Sequence, residues 1–171
     1  MTSSSDSSNL TPNSRIIIQR CLSARLQIKP PTDENDAEWV EIGEGCVVYV
    51  CFLKGATSET VKKMALMVMN VKLSETKEKN VSILDLPGSV LIIPQATLGG
   101  KVKGKMMQYH CNIEKGIGRE LYTEFVQMCN ELMEKSTKYT EASCVVRNGT
   151  YGNRQVFSTV TNGPYTHYFE F

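Results

Sequence analysis

Two short segments hold the residue types from which a reactive site could be built. They are Pro94-Gln95-Ala96-Thr97 and Thr161-Asn162-Gly163-Pro164-Tyr165-Thr166. Each interrupts an apolar, strand-like run. Pro94 has no N–H to give to a ladder, so it belongs at an edge or a bulge. Gly163-Pro164 is a turn dipeptide with few backbone geometries open to it. Amides freed at Ala96 and Thr97 can hold a developing oxyanion, and the loss of one such donor costs about 3 kcal/mol in enzymes that use them. Ala96 leaves room for an approaching acyl group. The plain alternative is a bulged edge strand with a surface threonine.

Side-chain catalysts are scarce. The two histidines, His110 and His167, lie in no metal-ligand pattern, and the sequence has neither a G-x-S-x-G elbow nor a P-loop. His110 follows Tyr109 in an expected loop, where solvation accounts for it. His167 follows the Gly-Pro turn and is the better placed of the two to touch a ligand. Glu41, Glu44 and Asp85 read as solvated loop ends. No metal and no cofactor are expected. The chain either only binds, or it catalyses with backbone donors and a group supplied by the substrate.

Positioning such a site takes an ordinary folded domain. The chain has 171 residues, 41% of them apolar, which predicts one domain with a sufficient core. A net charge of +1 gives no general attraction to nucleic acid, so any basic surface must be local. Cys21, Cys46, Cys51, Cys111, Cys129 and Cys144 form no C-x-x-C and read as reduced thiols of a cytoplasmic protein without a signal peptide. The apolar run Cys46–Leu53 is too short to span a membrane.

Residues 1–13, rich in Ser, Thr and Asn, are expected to form a disordered tail, and 14–171 the domain. Strand regions are expected at Arg15–Ile28 and Val40–Leu53, separated by an acidic loop. A helix capped by Thr57 or Ser58 runs to about Leu73, with Val61, Met64, Ala65, Val68 and Val71 as its buried stripe. A charged loop at Glu75–Asn80 precedes strands at Val81–Leu86 and Ser89–Ile93. A glycine-bearing loop then carries Lys101, Lys103 and Lys105. A second helix is expected from about Gly118 to Lys138, burying Leu121, Tyr122, Phe125, Val126, Cys129, Leu132 and Met133. Strands at Ala142–Val146, Gln155–Val160 and Thr166–Phe171 follow, with Asn148-Gly149 as a turn. This order predicts a mixed α/β domain with two helices on one side of the sheet.

At this point the sequence resembles the D-aminoacyl-tRNA deacylases. The resemblance covers nearly all of Arg15–Phe171. It is carried by Ile18-Gln19-Arg20, Ile42-Gly43-Glu44-Gly45-Cys46-Val47-Val48, Gln95-Ala96-Thr97, Tyr151-Gly152, Gln155-Val156 and Asn162-Gly163-Pro164-Tyr165-Thr166. Pro94, Thr161, Asn162 and Tyr165 depart from the bacterial-type pattern, and P-Q-A-T with T-N-G-P-x-T-H looks like the animal-type branch. The resemblance implies mixed sheets forming a barrel-like core, a homodimer, and a tRNA acceptor end as substrate, with no membrane or DNA partner. It assigns Gln95, Ala96 and Thr97 to the catalytic pocket, with Thr97 in a positioning role. It assigns Thr161, Asn162, Gly163, Pro164, Tyr165 and Thr166 to a loop that enters the partner subunit's site and sets specificity. A trans Gly163–Pro164 bond, the implied state for this branch, widens the pocket for a small L-residue such as alanine misattached to threonine tRNA, with some D-aminoacyl activity. The substrate's ribose 2′-OH would assist hydrolysis. Lys101, Lys103 and Lys105 are candidates for acceptor-stem phosphates, against the plain reading of a solvated loop. The alternatives are a strictly D-specific deacylase and a non-catalytic binder of the tRNA end.

Overall fold

The computed structural model describes residues 11–171. Residues 1–10, most of the expected tail, lie outside the described residues. Asn13, assigned to that tail, is instead tied into the domain. Its N–H donates to the Phe171 carbonyl at 2.7 Å, and its own carbonyl accepts from Leu53 at 2.7 Å.

Each of the first two strand regions is divided. β1 (Ser14–Cys21) and β2 (Ser23–Lys29) part at a bend on Leu22. β3 (Glu38–Ile42) and β4 (Gly45–Phe52) part at Gly43-Glu44. In both cases the two halves join different sheets, so an unbroken apolar run conceals a change of layer. α1 (Ser58–Asn70) starts where Thr57 N–H donates to Thr60 Oγ1 at 3.1 Å. It ends short of Leu73, and its buried stripe is Val61, Met64, Ala65, Val68 and Met69.

The expected charged loop is a small hairpin of β5 (Ser74–Glu75) and β6 (Asn80–Val81). Ser82–Leu86 is not a strand. Ser82 Oγ accepts from Asp85 N–H at 3.2 Å and Leu86 N–H donates to the Ser82 carbonyl at 3.0 Å. These local bonds divert the backbone from any ladder. β7 (Ser89–Pro94) leads into a 3-10 turn at Ala96–Gly99. The lysine loop is a hairpin, β8 (Lys101–Lys103) with β9 (Met106–Gln108), turning on Gly104 at φ +64°.

α2 runs over Lys115–Glu134, earlier than expected at both ends. Its start is fixed by the Glu114 carboxylate, which accepts from Gly116 and Ile117 N–H at 2.8 and 3.0 Å. That cap outweighs the poor helix propensity of Gly116 and Gly118. α3 (Tyr139–Ala142) is a single turn. β11 (Phe157–Val160) and β12 (His167–Glu170) are shorter than expected, and β10 (Val146–Asn148) lies beyond the strand expected at Ala142–Val146, sharing only Val146 with it, because Ala142 closes α3. Asn148-Gly149 makes no hairpin. β10 lies parallel to β7, and Gly149 N–H extends that pairing by donating to the Ile92 carbonyl at 2.8 Å.

The main sheet has the order β10-β7-β4-β1-β12, with β4, β7 and β10 parallel and the rest antiparallel. One face packs on α1 and α2 through Ile16, Ile18, Val48, Val50, Ile92 and the fully buried Phe125. The other meets a second sheet, β11-β2-β3, across Val47, Leu91, Ile93, Leu26 and Ile42. β4 is covered on both faces, which is why its sequence is continuously apolar rather than alternating. Helices on one side of mixed sheets is the expected α/β arrangement. The barrel-like closure is not formed, because no ladder joins the two sheets among the described residues.

Candidate active site

β7 is an interior strand, yet Pro94 sits in it without loss. β10 ends opposite Ile92, so the side of Pro94 that lacks an N–H faces no neighbouring strand. On the other side Gln95 N–H donates to the Val50 carbonyl at 2.8 Å, closing the last rung with β4. The chain then coils into the 3-10 turn. The N–H groups of Ala96 and Thr97 open that turn, where a helical segment has no internal carbonyl for its first amides.

Three contacts hold the turn. Asn112 Nδ2 donates to the Ala96 carbonyl at 2.9 Å, and Cys51 Sγ approaches the same oxygen at 3.6 Å. Arg15 Nη1 donates to the Leu98 carbonyl at 2.6 Å while its Nε pairs with Glu170 at 3.1 Å. Gly99 permits the fit, since a Cβ there would lie 1.7 Å from Asn112 Oδ1.

Beside the turn is a cavity of about 460 Å³. Its walls come from β4 (Val50, Cys51, Phe52), the end of β7 with Gln95 and Ala96, the approach to α2 (Asn112, Ile113, Lys115), and the turn Tyr151–Arg154. The volume suits a small organic ligand. No Asp, Glu or His lines it. Burial pushes the Tyr151 phenol and the Cys51 thiol above their ordinary values, so both are neutral at pH 7. Asn112 Oδ1 is buried without a protein partner. No group of metal-ligating side chains occurs among the described residues. The cavity therefore offers the start of the 3-10 turn at Ala96, a neutral phenol and two cations, with no conventional base.

Residues 17–170 match the D-Tyr-tRNA(Tyr) deacylase family. The chain belongs to that family. It is 56% identical over 158 residues to D-aminoacyl-tRNA deacylase 2 of Gallus gallus, covering 92% of this chain and 95% of that protein. It is 55% identical over 161 residues to D-aminoacyl-tRNA deacylase 2 of Homo sapiens, covering 94% and 96%. A solved structure described as a probable eukaryotic D-amino acid tRNA deacylase superposes with a TM-score of 0.77 at 26% identity, covering 93% of this chain and all of that one. These likenesses place the chain in the animal-type branch of the deacylases, hydrolases that act on the ester of an aminoacyl-tRNA.

The structure groups only some of the residues singled out from the deacylase motifs. Gln95 and Ala96 line the cavity. Thr97 is exposed next to it, and its Oγ1 accepts from Gln95 Nε2 at 2.8 Å. Lys101, Lys103 and Lys105 project from the exposed β8–β9 hairpin. The Thr161–Thr166 loop lies elsewhere. Arg20 N–H donates to the Pro164 carbonyl at 3.0 Å, and the Arg20 guanidinium lies 4.3 Å over the Tyr165 ring. Arg20 pairs with Cys46 and Cys46 with Val90, whereas the cavity begins at Val50 and Pro94. Those levels are four residues apart along β4, or about 13 Å. The Gly163–Pro164 bond is trans, as is every described peptide bond, and Gly163 has φ +113° with open space around it.

Asn112, Lys115, Tyr151 and Arg154 were not among the site residues expected from sequence. Tyr151-Gly152 stood in the family motifs and was the one available signal. Lone cations and a lone asparagine carry none.

Proposed function

We propose that the protein is a proofreading deacylase that hydrolyses the ester between a mischarged amino acid and the terminal adenosine of tRNA. L-alanine on threonine tRNA is its main substrate, with D-aminoacyl esters cleaved as well. One observation carries the reading: the cavity of this deacylase family member is lined by Gln95 and Ala96, where a 3-10 turn begins, and by no carboxylate or imidazole. A nucleophile–base pair has no support there. The amides take the charge that develops on the ester oxygen, and the substrate's ribose 2′-OH assists the attacking water. Water supplies the hydroxyl of the released amino acid and the proton of the released ribose oxygen. Gln95 orients Thr97, which serves in positioning.

Specificity rests on the Thr161–Thr166 loop acting across a homodimer. Within one chain that loop is too far from the cavity to complete it, and its tip is exposed with nothing near Gly163. A second copy can supply it. The trans Gly163–Pro164 bond supports a pocket widened for a small L-side chain. Lys101, Lys103 and Lys105 meet phosphates of the acceptor stem. The test is deacylation of L-alanyl-tRNA(Thr) and of a D-aminoacyl-tRNA by the purified protein, side by side. Release of both, with L-alanine favoured, is expected. Cleavage of the D-ester alone would establish the strictly D-specific reading, and no release above the buffer rate would leave a tRNA-end binder.

A further inference from the structure

Lys115 and Arg154 reach one cavity from elements distant in sequence, the start of α2 and the turn before β11. Arg15, Arg20, Arg25, Lys29 and Lys138 have carboxylate partners, but neither of these two does among the described residues. Lys115 is exposed and borders the turn at Gly152. Its side chain lies over Gly152, where an added Cβ would come within 3.1 Å of Lys115 Cε and 3.5 Å of Nζ. Gly152 has φ +84°, a conformation suited to glycine, so the backbone stays bare beneath the lysine. This sets the ammonium against the turn that carries Arg154. The adjacent carboxylate, Glu114, is engaged by the Gly116 and Ile117 amides at the start of α2. The cavity therefore has two cations and no acidic residue in its lining.

We propose that Lys115 and Arg154 clamp the phosphate on the 5′ side of the terminal nucleotide, the group that joins it to the rest of the RNA. The proposal rests on the deacylase reading and gives its site a second point of attachment. With the ester held at Gln95 and Ala96, a nucleoside leads away from β7 toward the elements that bear the two cations. Arginine offers phosphate a planar fork of donors and lysine a compact charge, so together they hold the backbone without reading a base. Such a clamp fixes the terminal nucleotide whatever the tRNA, and leaves selection of the amino acid to the rest of the pocket.

The test compares two minimal esters, 3′-O-alanyl adenosine with and without a 5′-phosphate. The unsubstituted protein is expected to favour the phosphorylated ester by about tenfold in kcat/KM. In K115A/R154A that ratio falls close to one, and in K115R/R154K most of it returns. A ratio of one in the unsubstituted protein, or an unchanged ratio in K115A/R154A, overturns the proposal. If neither ester is cleaved by the unsubstituted protein, deacylation of L-alanyl-tRNA(Thr) decides the deacylase reading. Calorimetry with 5′-AMP and adenosine then decides the clamp by itself. Tighter binding of AMP that is lost in K115A/R154A upholds it, and equal binding of the two ligands overturns it.

Discussion

Asn112 controls the geometry of the Ala96–Gly99 turn from 16 residues away, donating to the Ala96 carbonyl while Gly99 packs against its amide. Replacing it with Ala removes the side-chain tie to that carbonyl and leaves it the turn's own bonding and the weak Cys51 thiol contact. The expected loss is about 1 kcal/mol of turn stabilisation, or roughly fivefold in kcat if the turn's amides act in the transition state. Steady-state deacylation kinetics of Asn112→Ala check this, with the fall in kcat rather than in substrate affinity. The proline in front of the turn announced the site in the sequence, because Pro94 visibly breaks an apolar run. Asn112 did not. A side chain that acts by bonding a distant carbonyl leaves no local pattern, and the same holds for Lys115 and Arg154.

α2 depends on a cap that the sequence concealed. Its first turn contains Gly116 and Gly118, so the helix was expected to begin later, yet the Glu114 carboxylate recruits both free amides and starts it at Lys115. Those bonds hold the Glu114 carboxyl below its ordinary value of 4.5. A depressed carboxyl contributes stability above its unfolded-state value and loses it as pH falls through the folded one. Glu114→Ala should therefore lower Tm at pH 7, and the gap from the unsubstituted protein should narrow as pH falls below 4.5. Thermal melts across the acid range test this, and a gap that does not narrow at all would show that the lost contact is not electrostatic. The β8–β9 hairpin was read as a loop because three lysines and three glycines over residues 99–105 mask strands of only three residues. Pairing spaces Lys101 and Lys103 along one strand beside Lys105. Replacing all three with Ala should weaken tRNA binding and flatten its dependence on salt, since each phosphate contact contributes close to one to the log–log slope. An unchanged slope in a salt titration would return these lysines to mere solvation.

The layering of the whole molecule was legible from the order of its elements and the two helical stripes. The division of the strand regions at Leu22 and Gly43-Glu44 was not, because both sheets demand the same apolar residues. That division places the Gly163–Pro164 loop between β11 of one sheet and β12 of the other, at the level of Arg20, away from the cavity. Exposed apolar side chains border the same seam: Leu22 at 44%, Val160 at 57% and Tyr168 at 53%. Leu22 N–H donates to the Val160 carbonyl at 2.7 Å, so these two are neighbours on that surface. A homodimer that covers the seam would carry each loop to the other chain's cavity, and this can be tested without a structure of the pair. Gln95→Ala damages only the cavity and Pro164→Ala only the loop, so each variant alone should be nearly inactive. Refolded together in equal amounts, the chains should pair at random, and each mixed dimer should contain one undamaged composite site. The mixture should then recover about a quarter of the unsubstituted activity. If the loop served its own chain's cavity, every site in every dimer would carry one lesion and mixing would restore nothing.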